Sequence, residues 1–433
     1  MIAPLARIRR AVARARAGAC ASVSVSVCAC VCVCACACAT PPPPRPSTPI
    51  AVARARPEEP PPLVVVKKPR EGPPPPESAP AAVADAVEGK GARDRAHTMT
   101  VHLLDVGQGA STLVELPCGA ILVDTGGESD DEFNSVDALR TQLDAFFARR
   151  ADLKHTIDLL VITHPHIDHV RGIPMLVERY TVKNVVDDGL WGEKNVHDQE
   201  AALHDYVGAG KIGYRAVKRD DVDAKRGFTD DVVDPLRCKP IDPVVRVLSG
   251  AVDGDPGWGE NKYGKREYEN MNNHSVVVRF DFGKSSFLIT GDLEELAIRD
   301  LVEKYRGTGL LDVDVYQAGH HGSHNGTTQE LMTAMTPKLA LIAMGPESRH
   351  HNWTAWAYGH PREPTVRLLE EGVSMNRAAV DVEVGTKVKG FITEHMTKAV
   401  YGTGWDGAVD VDLGADGSVS VRTHADGAML AAP

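Results

Sequence analysis

A hexad of metal-binding residue types, HPHIDH at 164–169, directly follows the apolar run LLVIT. Two histidines separated by one residue in extended chain project to the same side, so His164 and His166 can bind one ion. Asp168 and His169 follow a bend and can reach a second ion. Imidazole nitrogen and carboxylate oxygen suit Zn²⁺, or Mn²⁺ when more oxygen ligands join. The hexad therefore predicts a metal site, with surface histidines clustered by chance as the alternative.

Other candidate ligands occur farther along the chain, where predicted strands end. Asp292 follows the run SSFLITG, and we predict that its carboxylate bridges two ions; capping of the next helix is the alternative. His320 and His321 lie between glycines and supply another ligand, although the sequence does not decide which of the two. The alternative for His320 and His321 is that they lie in a polar surface loop and bind no metal. Asp124, in the turn VDTGG, is predicted to orient a metal-binding residue by a hydrogen bond without binding the metal itself; the alternative is that it only forms the turn.

Two cations held by these residues would be able to activate a water molecule. A water held between two divalent cations ionises near neutral pH and can attack a phosphorus or carbonyl centre, and we expect Asp292 or Asp168 to orient it. His360, in the segment YGHP, is predicted to be a substrate-side donor or a late ligand; a structural histidine at a turn is the alternative. Gln108 and Gly109 are candidates to line the pocket. Trp353, Trp356 and Tyr358 are aromatic candidates that either stack on a base or pack against the edge of the sheet.

The elements that must position these residues are short strands. Runs such as AILVD, DLLVITH, SSFLITGD and VDVYQAGHH end in residues able to bind metal, and strand ends collected at one edge of a sheet form a site. Apolar periodicity predicts helices over 135–149, 293–305 and 364–371. Strands and helices alternate over about 100–186 and 274–372, which indicates an α/β fold. The tail 398–423 predicts β-hairpins.

The composition divides the 433 residues into two parts. Residues 1–98 hold 17 of the 29 Pro and seven of the nine Cys, and contain no Phe, Trp or Tyr. Such a segment cannot bury enough apolar surface to offset its chain entropy, so we predict a disordered, low-complexity, Pro-rich leader. We predict a single hydrolase domain over 99–433, with a polar insertion at about 187–270 that carries loops and a helix near 198–207.

The leader leaves the cellular location open. An Arg-rich start precedes an uncharged run at 17–39, which is the charge order of a signal peptide or anchor, and no acidic residue precedes Glu58. Alternating Val-Cys and Ala-Cys also fits low complexity or a misplaced start before Met99. We predict a cytoplasmic protein, or an exported or organellar one if the segment is genuine.

The body, 99–433, is acidic. It has 34 Lys and Arg against 52 Asp and Glu, a net charge of −18. General binding of nucleic acid needs many cations, so any nucleic-acid role must depend on a local site. With only Cys118 and Cys238, the body offers no disulfide framework and no Cys-rich zinc module. It has no apolar run of spanning length, so we predict no integral membrane domain.

In combination, the motifs resemble the metallo-β-lactamase superfamily, because DTG at 124–126, the hexad, GD at 291–292 and HHGS at 320–323 occur in that family's order. The likeness is closer to the hydrolase domain of ComEC-type DNA-uptake competence proteins and their free-standing relatives. It extends to HLLDVGQGAS at 102–111, NNHSVV at 272–277, YGHP at 358–361 and AVYGTGWDGAVDV at 399–411, and covers about 100–423. The resemblance implies an αββα sandwich with two facing mixed sheets and outer helices, metals at one edge and metal-dependent hydrolysis.

Two departures from the family limit what carries over. Most members place a His between the hexad and the bridging Asp, whereas this chain offers Asn272 and Asn273 there. Oxygen ligation by an Asn would shift the preference from Zn²⁺ toward Mn²⁺. The multi-span membrane channel of the competence proteins is also absent, so a role in DNA transport does not transfer.

We therefore predict a binuclear hydrolase with two divalent ions, Zn²⁺ or Mn²⁺, that acts as a phosphodiesterase or in a nuclease-like manner. The substrate would be a small molecule, a nucleotide or a nucleic acid. Hydrolysis of a lactone, ester or β-lactam is the first alternative. A non-catalytic metal-binding or interaction module is the second, although structural zinc sites do not usually align two adjacent cations.

Overall fold

The computed structural model describes residues 94–210, 212–222, 224–251 and 253–425. The predicted leader lies outside these residues, apart from its last five. Within the described part of the chain, no helix has both the length and the apolar character needed to cross a bilayer.

The strands are short, as the runs between turn residues predict. They are β1 (Thr98–Leu103), β2 (Thr112–Leu116), β3 (Gly119–Val123), β4 (Thr156–Ile157), β5 (Leu159–Val161), β6 (Thr181–Val182), β7 (Asn184–Asp187), β8 (Gly213–Ala216), β9 (Val244–Ser249), β10 (Val277–Phe282), β11 (Ser285–Ile289), β12 (Val315–Gln317), β13 (Leu339–Ile342), β14 (Asn376–Lys387), β15 (Gly390–Lys398), β16 (Val400–Gly402), β17 (Ala408–Gly414) and β18 (Val419–His424).

The helices lie mainly between the parallel strands. They are α1 (Ser135–Arg149), α2 (Ile167–Val170), α3 (Ile173–Arg179), α4 (His197–Gly208), α5 (Arg219–Val222), α6 (Glu295–Tyr305), α7 (Gln329–Met335), α8 (Ala355–Tyr358), α9 (Glu363–Gly372) and α10 (Thr403–Asp406). Short 3-10 turns lie at 95–97, 151–153, 267–269, 271–274 and 320–322.

Two mixed sheets form the centre of the fold. The first has eight strands in the order β18-β17-β1-β2-β3-β5-β7-β8, antiparallel from β18 to β3 and parallel from β3 to β8. The second has six strands in the order β16-β13-β12-β11-β10-β9, and β11, β12, β13 and β16 run parallel. Strands covered on both faces are continuously apolar, as in GAILV of β3 and LALI of β13.

The main core lies between the two sheets. Buried side chains from the first sheet, such as Val101 and Ile121, belong to the same cluster as Phe280 and Phe287 of the second. Helices α1, α3 and α4 cover the outer face of the first sheet, and α6, α7 and α9 cover that of the second. These layers confirm the predicted αββα sandwich.

The predicted helices agree closely with those observed. α1 has the predicted bounds, because Asn134 accepts hydrogen bonds from the backbone of Val136 and Asp137 and so caps its first turn. α6 begins at Glu295 with Glu294 in the cap position, so Asp292 does not cap this helix. The alternative interpretation of Asp292 is therefore excluded.

Three features were not predicted. Cys118, in the turn between β2 and β3, forms a disulfide with Cys238, so the expectation that the body has no disulfide framework is wrong. The segment 187–270 holds α4 where a helix was predicted, but it also contributes β8 to the first sheet and β9 to the second. Strands β14 and β15 form a long separate hairpin.

Candidate metal centre

The site lies where parallel strands of both sheets end at their carboxyl ends. Asp124 follows β3, the hexad follows β5, Asp292 follows β11, and His320 and His321 follow β12. Carboxyl ends of parallel strands meet at one edge of a sheet, and the facing sheets bring two such edges together. Residues that are almost 200 positions apart in the sequence thus surround one point.

Asp124 fixes the orientation of His169. Its backbone is left-handed (φ 59°), and its side chain is buried. Oδ1 accepts a hydrogen bond from the Thr163 N–H at 2.8 Å, and Oδ2 accepts one from the Thr163 hydroxyl at 2.8 Å. His169 Nδ1 also lies 2.8 Å from Asp124 Oδ2. Because a carboxylate only accepts, Nδ1 carries a proton, so Nε2, which faces the cluster, is the nitrogen that can bind a cation.

His321 is held in the same way from the second sheet. Its Nδ1–H donates to the carbonyl of Ala343 at 2.8 Å, so its Nε2 lone pair is also directed away from the anchor. This Nε2 lies 3.3 Å from Asp168 Oδ2 and 3.5 Å from Asp292 Oδ2. The neighbouring His320 is farther away, with its Nε2 3.8 Å from Asp292 Oδ2. His321 is therefore the better-placed ligand of the two.

Asp292 lies between the two halves of the cluster. Its Oδ1 is 3.3 Å from His169 Nε2, while its Oδ2 faces His321. Burial raises the pKa of Asp292, but the rings of His169 and His321, which are protonated when no cation is bound, outweigh burial and hold the pKa well below its usual value. Burial likewise raises the pKa of Asp168, and the nearby rings of His321 and His169 lower it further than burial raises it. Both carboxylates are therefore ionised.

His164 and His166 approach each other closely. His164 Nε2 lies 3.0 Å from His166 Nδ1, and His164 Nδ1 lies 3.2 Å from the Thr163 hydroxyl. Since that hydroxyl gives its own proton to Asp124, it accepts the one on His164 Nδ1. His164 Nε2 therefore faces His166 Nδ1, and these two nitrogens are placed to bind one cation together.

The donor set fits divalent metal ions. Two groups have donor atoms that all lie within 4.8 Å of one another: His164, His169 and Asp292, and Asp168, His169 and His321. Donor atoms on one tetrahedral ion with bonds of 2.0–2.2 Å stand roughly 3.3–3.6 Å apart, close to the spacings above. The buried Nε2 atoms of His169 and His321 have no hydrogen-bond partner. Buried imidazole nitrogens without partners are costly unless an ion binds them.

The two asparagines of the 3-10 turn before β10, Asn272 and Asn273, have different surroundings. Asn272 donates from Nδ2 to Glu294 at 2.9 Å, and its buried Oδ1 has no partner. It lines the pocket above the cluster. Asn273 accepts a hydrogen bond from the Glu294 N–H at 3.3 Å and donates one to the carbonyl of Glu267 at 3.2 Å. These bonds connect the turn at 271–274 to the segments on either side of it. His274 points elsewhere, with Nε2 2.7 Å from the carbonyl of Tyr268.

A pocket of about 620 Å³ opens above the cluster, within the usual range for small-ligand sites. Besides cluster residues and Asn272, its walls include Gln108, Arg171, Trp353, Tyr358 and His360. His360 is buried beside Gln108, with 3.4 Å between its Nδ1 and the amide nitrogen. Burial, and then the charges of His320 and His321, hold the pKa of His360 well below its usual value, so the ring is neutral at neutral pH. Gly109 packs against the backbone of Asp168.

Sequence reasoning missed several supporting residues. Thr163 connects Asp124 to His164, and the Ser275 hydroxyl accepts the Asp292 N–H at 3.1 Å. Glu294 holds Asn272, and Arg171 lines the pocket. The position of Thr163, beside the first hexad residue, was a usable signal. Nothing in the sequence pattern distinguishes Ser275, Glu294 or Arg171 from other polar residues.

Comparisons with known proteins agree with this geometry. Over residues 104–345 the chain matches the model of the metallo-beta-lactamase superfamily. It is 28% identical over 280 residues to ComE operon protein 3 of Bacillus subtilis, a match that covers 62% of this chain and 30% of that protein. It is 26% identical over 278 residues to competence protein ComA of Neisseria gonorrhoeae, covering 64% and 30%.

Both matches thus span less than a third of the relatives' length. Among solved structures, the metallo-beta-lactamase fold protein YhfI of Bacillus subtilis is similar with a TM-score of 0.34 and 12% identity, over 69% of this chain and 100% of that one. That likeness is too weak to bear on function. The family match covers more than half of the chain, and the chain belongs to the metallo-beta-lactamase superfamily.

Proposed function

We propose that residues 99–433 form one hydrolase domain that uses two divalent cations to cleave phosphodiester bonds in a nucleotide or nucleic acid. One observation carries the proposal. Among the described residues, the buried Nε2 atoms of His169 and His321 have no hydrogen-bond partner, and each lies within 3.5 Å of a different oxygen of Asp292. A single carboxylate between two outward-facing imidazoles is the arrangement that a pair of ions needs.

The chain's residues divide between two ion positions. His164 and His166 would hold one ion, Asp168 and His321 would hold the other, and His169, which belongs to both donor groups, could bind either. Asp292 would bridge them, and the unpaired Oδ1 of Asn272 is available as an oxygen ligand. Imidazole donors favour Zn²⁺, whereas the share of oxygen donors makes Mn²⁺ a second candidate.

Divalent cations in such a site supply a nucleophilic water near neutral pH and neutralise charge that develops on the attacked phosphate. The chain's own groups would do the rest. Asp168 is ionised and its side chain is 31% exposed, so it can accept a hydrogen bond from the attacking water. His360 is neutral and can donate an N–H to a substrate oxygen.

Arg171 favours an anionic substrate. Its Nε donates to the carbonyl of Gly127, and no other hydrogen-bond partner is found for its guanidinium among the described residues. Burial lowers the pKa of Arg171, although the group stays charged at neutral pH. A cation in the pocket wall suits a phosphodiester better than a neutral lactone, and compensates locally for the acidic body.

Metal content and substrate range test the proposal. The purified full chain should carry close to two transition-metal ions by elemental analysis, and should hydrolyse bis(p-nitrophenyl) phosphate with Zn²⁺ or Mn²⁺. Asp292→Ala should lower kcat roughly 10³-fold, because bridging two ions accounts for several kcal/mol of charge stabilisation. His395→Ala is the control, since His395 is exposed and its ring pairs with Asp381, outside both donor groups of the cluster.

The alternatives have separate outcomes. Turnover of an acyl lactone or a β-lactam without turnover of single-stranded DNA or cyclic nucleotides would replace the phosphodiester by a carbonyl substrate. Two bound ions without turnover of any of these would indicate a metal-binding module. A folded protein that binds no metal would refute the site itself.

We also propose that the body folds in an oxidising compartment. The Cys118–Cys238 disulfide supports this location, because such bonds persist mainly in secreted and periplasmic proteins. The proposal favours the exported alternative of the sequence analysis over the cytoplasm. Thiol counting on protein from the native host would find both cysteines alkylated if it is wrong.

A further inference from the structure

Trp353 is an exposed aromatic residue at the wall of the pocket. Its side chain is 74% exposed, and it lines the cavity above the candidate metal centre. Its backbone is left-handed, with a φ of 69°. A bulky residue rarely adopts this conformation, and such strain is concentrated at functional sites. An exposed indole gains little from packing, so packing does not explain the strained position.

The neighbouring aromatic residues do not offer the same surface. Trp356 stacks on His350 at 4.7 Å between ring centroids, and the ammonium group of Lys389 lies 4.6 Å above its ring. Tyr358 is half-buried and stacks on His360 at 5.5 Å. Trp353 makes only a tilted contact with Tyr358, at 6.3 Å. Among the described aromatic residues of this wall, Trp353 therefore has the most open ring face.

The loop that carries Trp353 is anchored. Arg349 forms an ion pair with the buried Glu128 at 3.2 Å, and its guanidinium lies 3.8 Å above the ring of Phe133. The Thr354 hydroxyl donates to the carbonyl of His351 at 2.8 Å and also accepts from the first turn of α8. The indole is thus presented by a braced loop, which reduces the entropy lost when a planar ligand stacks on it.

A row of rings connects this indole to the metal centre. From Trp353 the row continues through Tyr358 and His360 to His321, whose centroid is 6.5 Å from that of His360 with the rings nearly parallel (26°). A planar group stacked on Trp353 would lie at the outer end of this row, and a phosphodiester attached to it would extend toward the cluster. An unpaired base exposes the ring face that such stacking needs, whereas a base inside a duplex is stacked between its neighbours.

We propose that Trp353 is a specificity-determining residue that stacks on an unpaired nucleobase adjoining the scissile phosphodiester. The pocket would then select nucleoside phosphodiesters and single strands over phosphodiesters without a planar group. This inference rests on the proposed phosphodiesterase function and names the part of the substrate that the pocket recognises.

Two substrates that release the same leaving group test the stacking. Thymidine 5′-(p-nitrophenyl phosphate) and methyl p-nitrophenyl phosphate differ in the nucleoside, and both report through p-nitrophenolate absorbance. In the full chain, Trp353→Ala should raise KM for the thymidine substrate about 10-fold or more, with kcat little changed. The methyl substrate should be unaffected. Trp353→Phe should restore most of the affinity, and Trp356→Ala is the matched control.

The opposite results would overturn the proposal. An equal loss for both substrates would mean that Trp353 serves the leaving group or the loop structure, and an unchanged KM would exclude stacking. Titration with thymidine 5′-monophosphate provides a readout independent of turnover, because wild-type tryptophan fluorescence should be quenched and that of Trp353→Phe should not. If the chain binds the nucleotide through Trp353 but hydrolyses neither phosphodiester, the proposed function fails and the stacking site stands.

Discussion

Substituting Asp124 by Asn tests whether this buried carboxylate sets the tautomer of His169. Asn is nearly isosteric, so the substitution changes hydrogen bonding with little change of volume. If the amide oxygen of the new side chain faces the backbone N–H of Thr163, its nitrogen faces the Nδ1–H of His169 and the Thr163 hydroxyl. Hydrogen-bond donors then face one another, and no acceptor is present. With the amide reversed, its nitrogen faces the Thr163 N–H instead. Neither orientation satisfies all three donors that Asp124 now serves.

The expected loss of metal affinity follows from the loss of the hydrogen bond between Asp124 and His169. In the first orientation His169 must move its proton to Nε2, which removes the lone pair available to a cation. A hydrogen bond to a charged group contributes about 1.5–3 kcal/mol, and 1.4 kcal/mol corresponds to a factor of ten. We therefore expect metal affinity to fall about 10- to 100-fold, in the range typical for residues that orient a ligand histidine.

Competition with a chromophoric chelator measures this affinity for Zn²⁺, and urea unfolding of the metal-free protein measures stability separately. Asp158→Asn is the matched control, because Asp158 is a buried carboxylate that accepts from the Ala120 N–H at 3.1 Å but belongs to neither donor group of the cluster. It should retain wild-type affinity. A folded Asp124→Asn protein with unchanged affinity would refute the tautomer argument, and an equal loss in both variants would attribute the effect to general destabilisation.

Two further expectations concern stability. The Cys118–Cys238 bond spans 120 positions, so loop-entropy arithmetic gives about 5 kcal/mol of stabilisation; Cys118→Ser should lower the free energy of urea unfolding by up to this amount, and an unchanged midpoint would contradict it. Burial lowers the pKa of His102, but Asp410 and Glu115 outweigh it and raise the pKa to about 8. This shift contributes about 2 kcal/mol of stability, which is fully present below pH 6.5 and is lost as the pH rises through 8. The free energy of unfolding should therefore be lower at pH 9 than at pH 6 in the wild type, and the difference should be smaller in His102→Asn.

Much of the fold and site is predictable because the chemistry lies at strand ends. Apolar runs such as AILV and LLVIT indicate strands by composition, and the polar residue that ends each run is placed at the sheet edge by the backbone alone. Asp124, the hexad, Asp292 and His321 meet for this reason. The choice between His320 and His321 was open because both lie in left-handed backbone, and they are distinguished by tertiary contacts such as the hydrogen bond of His321 to the carbonyl of Ala343.

Other features depend on contacts between distant segments. Cys118 and Cys238 lie in regions without a shared pattern, and their pairing follows from where the segment 187–270 crosses the turn between β2 and β3. Strands β8 and β9 are half-buried edge strands, so they lack the continuous apolar signal of β3. Trp353 was one of three aromatic candidates, and the sequence could not show that Trp356 is covered.

The charge of the site explains how an acidic body could still bind an anion. Asp168 and Asp292 are ionised at the pocket floor, and Glu193 also lines the wall, so the pocket without cations would repel a phosphodiester. Arg171 offsets only one of these charges. Two divalent ions would reverse the local sign, and their effect would extend only about 8 Å in physiological salt. Recognition of a phosphodiester would then depend on the ions and the groups next to them, while the acidic surface beyond that distance would disfavour long stretches of nucleic-acid backbone.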